Sequence, residues 1–137
     1  MSKDLQIMNR LADLASERPP VFRAQICAMI TIRNKPVAVG YNQSKTHPFA
    51  ARFSKHEEAV FMHAEHDCIR QTLREVDPED LKKATIYIGR VRQDNSWGLA
   101  KPCPGCLRAI LHYGIKRVVY SLDEKGKFGE MEPSLTK

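Results

Sequence analysis

Two short motifs, His63-Ala64-Glu65 and Pro102-Cys103-Pro104-Gly105-Cys106, constrain this chain more than anything else in it. Each stands where the surrounding pattern begins a helix, and a strand-like run over residues 84–91 falls between them. Imidazole and thiolates are good zinc ligands, and two cysteines three positions apart at a helix start can clamp one ion. The free amides and dipole of such a helix start favour the thiolate form. Pro104 suits the first turn, where its missing N–H costs nothing. A fold that uses these residues together must bring two helix starts to one place.

His63, Cys103 and Cys106 make three ligands and leave one tetrahedral position open, the mark of a catalytic zinc rather than a closed structural one. Water at such a position ionises near pH ~7. Glu65 follows His63 by two residues. In mid-helix that spacing turns the side chains ~200° apart, but at a helix entrance both can point into one cleft, with Glu65 placed to shuttle protons. Two other readings of the cysteines compete. A thioredoxin-like redox pair leaves His63 and Glu65 unexplained. A four-cysteine structural site lacks its second half, because Cys27 and Cys68 are far apart in sequence and sit in apolar or helical patterns, as small buried hydrophobes do.

The rest of the chain reads as a single domain over residues 1–137, with its core at about 20–122. Leu5, Met8, Leu11, Ala12 and Ala15 recur at three- and four-residue steps, which predicts a first helix over about 4–16 ended by Pro19-Pro20. Residues 21–32 and 36–42 predict two strands joined by a turn at Arg33-Asn34-Lys35. Residues 43–60 are polar and broken by Pro48, so a long loop or broken helix is expected there. A helix over about 63–75, a strand over 84–91, a loop over 92–101, a helix from the cysteine motif to Tyr113 and a strand over 116–122 follow, with Gly114 as a helix stop. The tail can turn at 123–126 and return as a short fifth strand. Strand–helix–strand crossovers imply a mixed sheet with helices on its faces.

Composition adds bounds rather than chemistry. The net charge of +6 favours an anionic partner such as a nucleotide phosphate, although the basic residues form no run. No apolar run approaches the ~20 residues that cross a bilayer. The polar start Ser2-Lys3-Asp4 is unlike a signal peptide, so a cytoplasmic protein is expected.

The motif pair resembles the H-x-E…P-C-x-x-C signature of zinc deaminases, and the chain is similar to the cytidine/deoxycytidylate deaminase superfamily over residues 20–122. That resemblance implies a three-layer α/β/α fold with a five-stranded mixed sheet and Zn2+ held by His63, Cys103 and Cys106. It further implies Glu65 as proton shuttle, Asn42 in Gly40-Tyr41-Asn42 as a sugar contact, and the Ala64 amide as a hold on the base carbonyl. Relatives commonly form homo-oligomers, so one is expected here. A histidine as first ligand and the stretch 110–120 resemble deoxycytidylate deaminases and favour a cytosine mononucleotide such as dCMP. An antiparallel fifth strand would instead resemble the free-nucleoside branch. The sequence also departs from the pattern where Gln43 replaces the usual glycine after Gly-Tyr-Asn. Lys45, His47 and Arg52 are candidates for phosphate or base contacts, and Trp97 for stacking on a base. His66 and His112 are expected to be structural. The rival substrates are a base within RNA or single-stranded DNA, and a free nucleoside or base. The first would want a basic channel with aromatic platforms, against an aromatic content of 7%.

Overall fold

A computed structural model of the chain describes residues 2–17, 24–42 and 63–133. Its elements are α1 (Lys3–Ser16), β1 (Ala24–Ile32), β2 (Lys35–Tyr41), α2 (Ala64–Thr72), a 3-10 helix (Pro78–Lys83), β3 (Ala84–Arg92), β4 (Trp97–Gly98), α3 (Pro104–His112), β5 (Arg117–Ser121) and β6 (Phe128–Met131). The Ser2 side chain caps α1 by accepting from the Leu5 amide at 3.1 Å. The expected loop or broken helix over 43–60 and the Pro19-Pro20 stop lie outside the described residues.

The main sheet runs β2-β1-β3-β5-β6, and β4 pairs with β3 off this path. The pairs β1–β2, β1–β3 and β5–β6 are antiparallel, whereas β3 and β5 are parallel. Five strands thus form the expected mixed sheet. The sixth, two residues long, was expected as loop. It forms because Asn95 adopts a left-handed φ of 68° and Asp94 accepts from the Ser96 amide, which folds 93–96 into a tight turn. The β1–β2 hairpin turns through Arg33 and Asn34, both at positive φ, as the favoured two-residue turn requires. The predicted second helix stops at Thr72, short of residue 75. Pro78 then opens a 3-10 turn whose Leu81 is buried, an element the sequence pattern did not predict.

Strand alternation divides the core into two. Ala28, Ile30, Ile86, Ile88 and Val118 face α2 and α3, packing with Ala64, Cys68 and Ala109. Their neighbours Cys27, Met29, Tyr87 and Val119 face the other way, onto Met8, Leu11 and Ala15 of α1. This is the three-layer arrangement. Antiparallel pairing of β1 with both β2 and β3 makes those two strands point the same way, as does β5. The connections from β2 to α2 and from β3 to α3 therefore leave one edge of the sheet, and both motif-bearing helix starts meet there. Among the described residues no helix is long and apolar enough to cross a membrane.

Candidate metal centre and active site

His63 and Cys103 occupy equivalent places, each the extended residue that caps its helix. His63 has φ −79° and ψ 160° before α2, and Cys103 has φ −71° and ψ 167° before α3. A cap residue in this conformation directs its side chain off the helical spiral, which removes the divergence that a two-residue step would impose on His63 and Glu65. At the start of α3 the Cys103 sulfur accepts from the Cys106 amide at 3.5 Å, and Pro104 opens the helix. The local sequence thereby folds the Cys-Pro-Gly-Cys arm around one point.

His63 Nδ1 lies 3.2 Å from Cys106 Sγ and 3.6 Å from Cys103 Sγ, and all three ligand atoms fall within 4.8 Å of one another. Tetrahedral zinc with ordinary Zn–S and Zn–N bonds sets N and S donors ~3.5 Å apart. The donor set and its spacing fit one zinc ion. The electrostatics agree. The Cys106 thiol and amide beside Cys103, with His63, pull its thiol down to about 3 against the effect of burial. Burial and the neighbouring Cys103 push Cys106 up. The Cys103 sulfur raises His63 against the effect of burial. Two sulfurs and an imidazole so close need a cation among them, or protons, to share that space.

Glu65 is 6% exposed, and its carboxyl faces the same cluster. Burial raises its pKa, partly countered by His63. Ala64 is buried beside it at the first turn of α2. Asn42 stands at the end of β2, where its backbone amide donates to Ile26 O at 3.2 Å and its Oδ1 accepts from the Ile26 amide at 3.0 Å. The side chain takes the place of a ladder carbonyl as the chain leaves the strand. Gly40, two residues earlier, allows the approach of β2 to α2. A Cβ there would lie 2.3 Å from Cys68 N and 2.5 Å from Ala64 O. Cys27 and Cys68 are buried, as expected, and neither is in a disulfide; the Cys68 thiol donates to Ala38 O at 3.4 Å.

One expected contact does not hold. Trp97 is 2% exposed and packs in the α1-side core with Met8, Leu11 and Val91, on the sheet face away from α2 and α3. Its pairing with Val91 turns the ring into that core, so neither ring face is open to a base. Lys45, His47 and Arg52 lie outside the described residues. Two further residues gained a place that sequence spacing did not foresee. His66, expected to point away from Glu65, is 1% exposed and stacks on the His63 ring, with centroids 5.9 Å apart. Burial, with the nearby His63, lowers its pKa, so the ring favours its neutral form. Asp67 accepts from the Tyr41 amide at 3.0 Å. Only the helical period placing 63, 66 and 67 on adjoining sides of one turn hinted at these roles. His112 is exposed and packs edge-on against Tyr113, 4.8 Å away.

The family model described as the cytidine and deoxycytidylate deaminase zinc-binding region matches residues 1–122. The chain belongs to this family of zinc-type deaminases. Its fold is similar to that of cytidine deaminase from Burkholderia pseudomallei, with a TM-score of 0.64 at 15% identity over 93% of this chain and 91% of that one. It is likewise similar to dCMP deaminase from the cyanophage S-TIM5, with a TM-score of 0.60 at 18% identity over 92% of this chain and 88% of that one. A bifunctional diaminohydroxyphosphoribosylaminopyrimidine deaminase and 5-amino-6-(5-phosphoribosylamino)uracil reductase from Thermotoga maritima gives a TM-score of 0.51 at 18% identity, over 86% of this chain and 29% of that one. No curated protein sequence matches significantly.

Proposed function

We propose that this chain hydrolyses the exocyclic amine of a cytosine mononucleotide such as dCMP, giving the uracil form and ammonia. The observation that carries the reading is a nearly buried carboxyl, Glu65, facing a His63, Cys103 and Cys106 cluster of zinc-binding geometry. A closed structural zinc has no use for such a group.

In this reading His63 Nδ1 and the two sulfurs hold zinc, which supplies Lewis acidity and makes hydroxide available near neutral pH. Glu65 accepts a proton from water as the new C4–O bond forms, and passes it to ring N3. It then takes the proton of the new C4 hydroxyl and gives it to the amine, so that the C4–N bond breaks, C4=O forms and ammonia leaves. Burial raises the pKa of this carboxyl, the direction that makes its ionised form a better proton acceptor from water. The Ala64 amide holds the base carbonyl, and Asn42 meets the sugar.

The charge of +6 and the resemblance of residues 110–120 support the mononucleotide. A specific observation favours a second reading, the free nucleoside: β6 runs antiparallel to β5, as the resemblance to the free-nucleoside branch implies. Ammonia release from zinc-loaded protein separates these substrates. dCMP, CMP, deoxycytidine, cytidine, guanine and a cytosine-containing oligonucleotide are each offered at equal concentration. The mononucleotides are expected to turn over fastest. Preference for the nucleosides selects the second reading, and turnover of the oligonucleotide alone rejects both.

A further inference from the structure

Asp67 has no part in the proton transfers, yet it is a carboxylate only 4% exposed, one helical turn beyond His63. Both of its oxygens are engaged. Oδ2 accepts from the Tyr41 amide and Oδ1 from Arg70 Nη2, each at 3.0 Å. The first bond reaches across from α2 to the end of the edge strand β2. Immediately after Tyr41, Asn42 closes the β1 ladder with its own side chain. Immediately before it, Gly40 lets the strand touch the α2 backbone, and the Cys68 thiol donates to Ala38. Residues 38 to 41 of the strand are thus fastened to residues 64 to 68 of the helix, whose start carries His63 and Glu65.

We infer that Asp67 is a positioning residue for substrate recognition. By holding the Tyr41 amide it fixes Asn42 relative to His63 and Glu65, so that the sugar and the base of one molecule are met together. A bond from a backbone amide to a carboxylate suits this task, being stronger than one between two neutral groups. The inference rests on the reading that Asn42 meets the sugar of a deaminated nucleoside or nucleotide.

The test compares Asp67→Ala, Asp67→Asn, Asn42→Ala and the Asp67→Ala/Asn42→Ala double variant on whichever substrate the parent turns over fastest. Asp67→Ala is expected to raise KM about tenfold while kcat changes by no more than about twofold, with one zinc per chain retained by metal analysis. Asp67→Asn keeps an acceptor for the Tyr41 amide and recovers most of the KM. The double variant is no worse than the weaker single variant, because both disturb one contact. Should Asp67→Ala not fold, Asp67→Ser takes its place, polar but too short to reach Tyr41. A fall in kcat at constant KM, loss of zinc, or additive effects in the double variant overturns the inference alone. A zinc-loaded parent that turns over no nucleoside or nucleotide overturns the underlying reading and the inference with it.

Discussion

His63 Nδ1 stands 3.2 Å from Cys106 Sγ, although 43 residues separate them in the chain. The two are brought together by two strand-to-helix connections that leave the same edge of the sheet, so the metal centre is also a clasp between α2 and α3. Removing the metal should therefore cost stability as well as activity. A ligand present at a thousand times its dissociation constant stabilises the folded state by about 4 kcal/mol. Thermal melts with and without a strong chelator measure this, and Cys103→Ala or Cys106→Ala should melt like the chelated parent and bind no zinc. A melt unaffected by chelation would show that the cluster holds no metal in solution.

Glu65 faces that cluster without being one of its three ligands. Glu65→Ala should retain one zinc per chain and lose turnover by about 10²- to 10⁴-fold, the ordinary worth of a positioned proton shuttle. Glu65→Gln keeps the volume and removes the titration, so it should be equally inactive. Burial makes ionisation of Glu65 costly in the fold, and Gln carries no such cost, so this variant should melt no earlier than the parent. Activity near the parent level in either variant would remove Glu65 from the mechanism.

The parts of this molecule that were legible in the sequence are those set by neighbours along the chain. The apolar stripe of α1, the Arg33 and Asn34 turn, and the placing of both motifs at helix starts each follow from a few adjacent residues. Convergence of His63 with Cys103 and Cys106 followed because the residue types have few other uses together. What was not legible depends on partners distant in sequence. The ring of Trp97 is placed by pairing with Val91 and by the α1 core, which the loop sequence does not reveal. Asp67 looks like any polar helical residue until β2 delivers the Tyr41 amide to it. The direction of β6 is decided by its pairing with β5, through Val118 and Met131 among others, and not by any local signal.

Away from the metal centre, Asp4 of α1 accepts from Arg117 of β5 at 3.1 Å and 2.5 Å and from the Tyr87 hydroxyl at 2.8 Å. The Arg117 guanidinium holds the Asp4 carboxyl below its usual value, with help from Tyr87 and against burial. A carboxyl that is more acidic folded than unfolded stabilises the fold fully above its unfolded value of ~4, and ceases to as pH falls through the folded value. Asp4→Asn should therefore melt earlier than the parent at pH 7, and the gap should close as pH is lowered through that range. The side chains are partly exposed, so the neutral-pH difference should be about 1 kcal/mol. A gap that stays constant from pH 7 to pH 2 would show that packing, rather than the ion pair, is what Asp4 contributes.

Trp97 gives an optical test of the two-sided core, because it is the one tryptophan in the chain. Its ring is enclosed with Met8, Leu11 and Tyr87 on the α1 side of the sheet, opposite the layer that contains Ala64. Its emission should be that of an apolar environment, resist quenching by iodide, and stay unchanged when a nucleotide or nucleoside saturates the site. Trp97→Phe should leave KM and kcat within about twofold of the parent while lowering stability by about 1–3 kcal/mol, since a smaller ring leaves unfilled core volume. A rise in KM without loss of stability would instead return Trp97 to the substrate, because a ring that stacks on a base contributes to binding and not to the packing of α1.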